Sequence, residues 1–345
     1  MSILENKRIL ITGGTGSIGS TLVKEILKNH KPKQVRIFSR DDSKQFHLMQ
    51  ELGEKAPVNF LIGDVRDKDR LMRAMENVDI VFHAAAMKHV FLCERNPFEA
   101  YRTNVQGTQN VIDCALASGV DRVVNISTDK AVNPSSVLGT TKLMAERLML
   151  SSSFYKGDKK TKFCSVRFGN VLWSRGSVFP LFVKQIRAGD SITLTDPEMM
   201  RFFMSMKEAA QLVLKAVQMT KESEIFVFKM PAVKMSDAVD ALQEIMVEDR
   251  LAGKKSPIRI IGAKEGERRH EKLLTIDESE HALETKELYI IRPNFSVISV
   301  KKIPDISYSG ATKAQCVEYG TDKCPQITRG ELKKLLREGD FYKIP

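Results

Sequence analysis

Along the first half of the chain, short apolar runs alternate with longer stretches whose apolar residues recur at helical spacing. Residues 7–14 (KRILITGG) predict a buried strand ending in glycine, and 17–30 (SIGSTLVKEILKNH) a helix with Leu22, Ile26 and Leu27 on one side. The alternation continues with strands predicted at 34–40, 58–64, 78–86, 121–128 and 162–171, and helices at 43–52, 68–76, 94–119 and 137–155. This regularity predicts an α/β protein with a doubly wound parallel sheet covered on both faces. Binding sites in such sheets lie beyond the carboxyl ends of the strands. From about residue 172 the pattern loosens, with helices at 205–219 and 235–251 and short strands at 225–229 and 258–262. We therefore divide the chain into a sheet domain at 1–171, to which some later segments return, and a smaller mixed α/β lobe at 172–290. A C-terminal arm follows at 291–345, over the active site or over a neighbouring subunit.

Composition narrows the class. The 345 residues are 42% hydrophobic and 28% charged, as in a soluble globular protein. The net charge of +11 fits anionic small molecules such as nucleotide phosphates. The basic residues are spread along the chain without interleaved aromatics, so nucleic acid is not an expected partner. Five cysteines (Cys93, Cys114, Cys164, Cys316 and Cys324), with no Cys-x-x-Cys pair or His/Cys cluster, predict free thiols and no metal site. The first apolar run is too short for a secretory leader, and no stretch approaches the roughly 20 apolar residues that insert into a bilayer. A cytoplasmic protein is expected.

The candidate chemistry begins at TGGTGSIG, where Gly13, Gly16 and Gly19 fall between the first strand and the first helix. Glycine lets the backbone approach a pyrophosphate, and the helix start offers free N–H groups to it. This predicts dinucleotide binding. The second strand ends FSRDD; Arg40 ahead of Asp41 and Asp42 favours NADP, with NAD the alternative, because a guanidinium can clamp a 2′-phosphate. Asp64 and Val65, after the third strand, are expected to frame the adenine. The other candidate stretch is 127–142, STDKAVNPSSVLGTTK. Asp129 and Lys130 follow Thr128 at the end of the fifth strand. An acid and a base there can protonate a leaving hydroxyl and abstract a carbon-bound proton. A plain dehydrogenase needs neither step, and a dehydratase needs both. An exposed surface ion pair is the competing reading. Lys142 lies four residues beyond Leu138, on one helix face that looks at the nicotinamide ribose.

These stretches resemble an extended short-chain dehydrogenase of the polysaccharide-biosynthesis type, in particular the UDP-N-acetylglucosamine 4,6-dehydratases of capsule and flagellin-glycan pathways. The resemblance is carried by 11–19, FSRDDSKQ (38–45), FHAAAMKHV (82–90), NPFEAYRTNVQGTQNV (96–111), STDKAVNP (127–134), VRFGNVLWSRGSVFPLF (166–182) and LTDPEMMRFFMS (194–205), and runs from about Lys7 to Glu271. It implies a Rossmann domain at 1–171, a substrate-binding lobe at 172–290 and a homo-oligomer, a dimer or a hexamer. It implies conversion of UDP-N-acetylglucosamine to a UDP-2-acetamido-2,6-dideoxy-4-keto-hexose by an internal NADP hydride cycle. Thr128, Asp129, Lys130 and Lys142 would be catalytic, with Lys142, a bound water or Asp129 standing in for a tyrosine that many members carry where this chain has Leu138. Gly13, Thr15, Gly16, Ser17, Ile18, Gly19, Ser39, Arg40, Asp64, Val65, Ala84, Ala85, Ala86 and Lys142 would hold the cofactor. Lys88, Asn170, Arg175, Ser177, Arg201, Arg269 and Glu271 would hold the nucleotide sugar, and 174–182 resembles the loop on its uridine side. A 4-epimerase, which has no need of Asp129-Lys130, and a non-enzymatic NADP-binding sensor are the rivals.

Overall fold

The computed structural model describes residues 2–292, 307–315 and 317–339. Cys316 and the 293–306 part of the expected arm lie outside the described residues. The first half contains β1 (Arg8–Thr12), α1 (Ser17–Asn29), β2 (Gln34–Ser39), α2 (Asp42–Leu52), β3 (Val58–Ile62), α3 (Lys68–Met75) and β4 (Ile80–His83). Then come α4 (Val90–Arg95), α5 (Pro97–Ala100), a π-helical turn (Tyr101–Gln106), α6 (Gly107–Ser118), β5 (Arg122–Ile126), α7 (Val137–Tyr155) and β6 (Lys162–Arg167). The second half contains β7 (Asn170–Val171), α8 (Val178–Ala188), β8 (Ile192–Leu194), β9 (Met200–Met204), α9 (Met206–Met219), β10 (Ser223–Phe228), β11 (Ala232–Lys234) and α10 (Met235–Glu248). It ends with β12 (Ile258–Ile260), β13 (Lys272–Leu274), α11 (Ile276–Glu280), β14 (Ala282–Glu284), β15 (Leu288–Ile291), β16 (Thr312–Lys313), β17 (Tyr319–Gly320) and α12 (Arg329–Arg337).

The main sheet has the order β16-β14-β15-β10-β6-β5-β4-β1-β2-β3. The seven strands from β10 to β3 are parallel, as the alternation predicts. The other three extend the sheet antiparallel. Strand periodicity sorts the core. Ile9 and Ile11 of β1 pack on one face with Leu22, Val23 and Ile26 of α1. Leu10, pointing the other way, packs with Leu71, Ala74 and Met75 of α3. Strand order reverses between β1 and β4, so the loops after these strands open a crevice at their carboxyl ends.

Three expectations need correction. The helix expected at 94–119 is broken: Pro97 disfavours a helical conformation at Asn96, ending α4, and a π turn separates α5 from α6. The strand expected at 162–171 stops at Arg167; Asn170 and Val171 join β9 in a small separate sheet, β11-β9-β7. The stretch 174–182, expected as a loop, becomes helical at Val178, because Phe179, Phe182, Val183 and Ile186 give α8 an apolar face. That face packs with α10 and the small sheet into a second core. The described end of the arm belongs there too: Leu332 and Leu336 of α12 are buried in this core of their own chain.

One buried cation ties these parts together. Arg167 ends β6 with 0% exposure. Its Nε and Nη2 donate to Glu146 of α7 at 3.1 and 2.6 Å, its Nη1 and Nη2 to Glu278 of α11 at 2.9 and 3.0 Å, and its Nη1 to the Leu273 carbonyl at 3.0 Å. All five guanidinium N–H donors are used. Replacing Arg167 by Met strands two carboxylates. The expected loss is about 3–5 kcal/mol of unfolding free energy in denaturant titration, and a loss under about 1 kcal/mol would show that the cluster carries little.

Candidate active site

The glycine loop has the shape its sequence predicts. Gly13 has φ +66°, and a Cβ there would lie 2.7 Å from the Ala85 nitrogen and 2.8 Å from the Ala84 carbonyl oxygen. A Cβ on Gly19 would lie 2.3 Å from the Gly13 carbonyl oxygen, so α1 packs directly against the turn. Gly16 is the N-cap of α1 and no side chain caps the helix. The first N–H groups of α1 are thus left for an anion, and the loop fits a dinucleotide diphosphate. Beside it, Thr15 donates to the Ser39 hydroxyl at 3.1 Å, while Ile18 packs against the core. Arg40 is exposed and stands 3.6 Å from Asp64. Burial pushes the Asp64 carboxyl up, but hydrogen bonds from Arg66, helped by Arg40, outweigh it and hold the carboxyl below its usual range. Val65 is buried against Gly107. Ala84 to Ala86 leave β4 alongside Gly13, and the Ala84 N–H donates to the Thr12 carbonyl at 3.0 Å.

The acid–base candidates converge at the end of β5. Asp129 opens a single 3-10 turn and is 0% exposed. Its Oδ1 accepts from Thr128 Oγ1 at 2.9 Å and from Lys130 Nζ at 3.0 Å, while its Oδ2 is buried without a hydrogen-bond partner. Lys130 Nζ also donates to Asn170 Oδ1 at 3.3 Å and stands 3.5 Å from Glu271 Oε1. Burial alone would lower the Lys130 pKa, but the charges of Asp129 and Glu271 outweigh it and raise it. Burial raises the Glu271 carboxyl against the pull of Lys130. The turn is held by close packing: a Cβ on Gly139, in the first turn of α7, would lie 2.2 Å from the Lys130 carbonyl oxygen. Arg268 fastens the following segment, donating to Ser135 Oγ at 2.8 Å and to the Val132 carbonyl at 3.1 Å.

Lys142 is buried beneath the same strand end, its Nζ donating to the Ile126 carbonyl at 2.5 Å. Burial lowers its pKa to about 8, against a smaller upward pull from Glu146. Leu138 is also buried, in an apolar cluster with Cys93 and Ala100.

Other expected substrate residues lie elsewhere. Arg175 reaches back to the glycine loop: its N–H donates to Ser17 Oγ at 3.0 Å and its Nη1 to the Thr15 carbonyl at 2.9 Å. Lys88 donates to the Arg175 carbonyl at 2.5 Å, and burial, aided by Arg175, lowers its pKa. Ser177 caps α8 with its Oγ buried and unpartnered. Arg201 lies near the acid–base pair, 4.0 Å from Glu271, and donates to the Met200 carbonyl at 2.8 Å. Arg269 points away to the surface, on Asp196.

Sequence reasoning missed Asn104, which sits in the π turn. It accepts from the Met87 N–H at 2.8 Å and donates to the Met87 carbonyl and to Thr141 Oγ1, both at 3.1 Å. It joins the loop after β4 to α7. The Asn96-Pro97 break was the available signal. His83 is likewise enclosed, between Thr12 Oγ1 at 2.7 Å and Thr108 Oγ1 at 3.1 Å, and burial holds it neutral with a pKa of about 3.

The glycine loop at the switch point of a doubly wound sheet defines the class: a Rossmann protein of the extended short-chain dehydrogenase type. Within that class the chain belongs to the polysaccharide biosynthesis protein family, whose model matches residues 9–293. It is 44% identical over 335 residues, 97% of this chain and 96% of the relative, to "Uncharacterized membrane protein MJ1061" of Methanocaldococcus jannaschii. It is 39% identical to "UDP-N-acetylglucosamine 4,6-dehydratase (inverting)" of Campylobacter jejuni, covering 94% of this chain and 95% of the relative. It is 41% identical to "UDP-glucose 4-epimerase" of Rickettsia typhi, covering 97% of each. The solved structure of Pen from Bacillus thuringiensis matches with a TM-score of 0.89 at 42% identity, covering 98% of this chain and 99% of that one. The likeness therefore extends well beyond Glu271, where the sequence motifs end. Among the described residues, no helix is long and apolar enough to cross a membrane.

The surroundings of Leu138 yield a prediction. A Leu138→Tyr variant must fit a ring and a hydroxyl among Cys93, Ala100 and Met87. Thermal unfolding should report a loss of about 1–3 kcal/mol. Unchanged stability would mean that the tyrosine finds open space.

Proposed function

We propose that this protein is a UDP-N-acetylglucosamine 4,6-dehydratase that forms a UDP-2-acetamido-2,6-dideoxy-4-keto-hexose for surface glycan synthesis. We assign inversion at carbon 5, the outcome in the name of the Campylobacter relative. The observation that carries the reading is the enclosed Asp129–Lys130 pair, with Asp129 Oδ2 left unpartnered at the end of β5. A surface ion pair would be solvated; here Asp129 is fully buried and only Lys130 keeps partial access to solvent, so the desolvation cost calls for a purpose.

Gly13, Thr15, Gly16, Ser17, Ile18 and Gly19 would hold the cofactor's diphosphate, and Ser39, Arg40, Asp64 and Val65 its adenosine end, with Ala84 to Ala86 and Lys142 along the nicotinamide side. The bound nicotinamide supplies reversible hydride transfer. We assign NADP on the strength of Arg40, which directly follows β2 and whose guanidinium is exposed, 3.6 Å from Asp64. Thr128 hydrogen-bonds the sugar's 4-oxygen. Lys142 takes the 4-hydroxyl proton, a role to which a pKa of about 8 suits it. The 4-ketone then acidifies the carbon 5 proton. At rest Asp129 and Lys130 form an ion pair. Moving one proton across their 3.0 Å hydrogen bond turns lysine into the base and aspartate into the acid. Lys130 then takes the carbon 5 proton, Asp129 protonates the departing 6-hydroxyl, water leaves, and the ion pair is restored. The hydride taken from carbon 4 would return to carbon 6, and a solvent-derived proton added to the opposite face of carbon 5 would complete the inverted product. Asn170 and Arg201 contact the nucleotide sugar from the second lobe. The exposed Phe91, Phe98 and Tyr101 support a cytoplasmic homo-oligomer in which such apolar surface is covered.

Incubation with UDP-N-acetylglucosamine should give the 4-keto-6-deoxy product by proton NMR, whereas 4-epimerised sugar would establish the epimerase reading. Asp129→Asn and Lys130→Met should each dehydrate about 100- to 10,000-fold more slowly. Lys130→Met should also lose solvent deuterium exchange at carbon 5. Near-normal rates in either variant would leave the pair without its assigned role.

Lys142 yields a pH prediction. Its amine is neutral, and able to accept a proton, only above about pH 8. Single-turnover oxidation at carbon 4, followed by nicotinamide absorbance, should rise as pH climbs through that value. Lys142→Arg, charged throughout, should abolish the limb. A flat profile would assign the 4-hydroxyl proton to a different group.

A further inference from the structure

The sequence pattern assigns Glu271 to the nucleotide, among the residues around Arg268 and Arg269. Its surroundings argue otherwise. The side chain is 5% exposed, and a carboxylate repels a diphosphate. Its Oε1 faces Lys130 Nζ at 3.5 Å on one side and Arg201 Nε at 4.0 Å on the other. Asp129 and Arg268 are the remaining charges near it. The backbone is pinned by the C-terminal segment: the Glu271 N–H donates to Thr321 Oγ1 at 3.1 Å, and the Thr321 N–H donates to the Glu271 carbonyl at 2.9 Å. The residue is thus buried, doubly clamped and aimed at the acid–base pair.

We propose that Glu271 is a positioning residue for Lys130, the third acceptor that holds its amine beside Asp129. This rests on the dehydratase reading above. A lysine ammonium has three N–H donors. Here the amine faces three oxygens on three separate segments: it donates to Asp129 Oδ1 at 3.0 Å and to Asn170 Oδ1 at 3.3 Å, and it forms an ion pair with Glu271 Oε1 at 3.5 Å. A four-carbon side chain has rotamer freedom that a single contact does not quench. When the proton moves to Asp129, the amine keeps two N–H donors. Asn170 and Glu271 are the two acceptors left to hold them. Without Glu271 the neutral amine is tethered at one point just when it must meet carbon 5. Arg201, on the same carboxylate oxygen, offsets the negative charge that would otherwise lock Lys130 in its protonated form.

The test separates positioning from nucleotide binding. Glu271→Ala removes the acceptor, and its kcat should fall about 100-fold, the scale of a misplaced general base, with KM for the nucleotide sugar within about threefold of wild type. Glu271→Gln keeps an acceptor of the same size and should recover most of that loss. A raised KM with kcat intact would overturn the proposal and return Glu271 to the nucleotide. Equal defects in both variants would overturn it too, by showing that the acceptor is not what matters. A cofactor-induced rise in unfolding temperature checks that each variant is folded. Lys130 itself gives a readout independent of turnover. In Glu271→Gln the ammonium loses an anionic neighbour, so acylation of Lys130 at fixed pH, followed by peptide mass spectrometry, should quicken by roughly tenfold for each unit its pKa falls. Unchanged labelling would overturn the contact. If wild-type protein forms no dehydrated sugar, the dehydratase reading fails, and the labelling still decides whether Glu271 governs Lys130.

Discussion

The Arg167 guanidinium is the contact through which the active-site elements share one frame. It ends the strand beside β5, grips Glu146 on α7 and Glu278 on α11, and caps the carbonyl of Leu273 on β13. Those elements carry or flank residues of the candidate site. Lys142 lies one turn before Glu146 on α7, and Glu271 immediately precedes β13. A fully buried guanidinium must satisfy every donor or leave desolvated charge behind, so the three segments can pack in few other ways. The positions of Lys142 and Glu271 relative to the end of β5 are thus set from below by a group that touches neither.

The two lobes meet over the cofactor loop. The segment Trp173–Ser177 leaves the small sheet, turns through Trp173 and Gly176 with positive φ, and lays Arg175 across Thr15 and Ser17. Gly176 is required there, because a Cβ would lie 2.4 Å from the His89 ring. Lys88, from the loop after β4, fastens the same segment through the Arg175 carbonyl. Lys88 and Arg175, expected on the nucleotide sugar from their place in the sequence, join the second lobe to the phosphate loop in this structure.

Periodicity exposes what is local. The seven parallel strands, the helix at 137–155 and the glycine loop each follow from patterns within about 20 residues, and all appear at their expected places, except that the strand expected at 162–171 ends at Arg167. The candidate site was legible where its residues are contiguous: Asp129 and Lys130 are neighbours, and Lys142 shares their segment. What could not be read is what long-range packing decides. Arg167 looks like an ordinary charged residue ending a strand, and only the fold brings Glu146 and Glu278 to it. Glu271 sits beside two arginines and reads as part of a phosphate cluster, yet its side chain turns inward while that of Arg269 turns out to Asp196. The break at Asn96-Pro97 was visible and underweighted; it creates the turn that lets Asn104 hold Met87 against α7.

Leu138 then acquires a physical explanation. A residue there could act as a proton acceptor only if its side chain looked into the cleft, and Leu138 closes an apolar cluster with Cys93 and Ala100. In the proposed mechanism the proton traffic moves one helical turn along α7, to Lys142, whose pKa burial lowers to about 8. The same low-polarity setting has the opposite outcome at Lys130, because two carboxylates face it and hold its charge. Two lysines enclosed in one site are thereby driven apart in proton affinity by their neighbours. In the proposed mechanism that separation is what lets one lysine leave its proton early while the other keeps its proton until Asp129 takes it. An apolar residue at position 138 is compatible with this arrangement, since the acid–base work rests on groups whose environments differ rather than on a tyrosine.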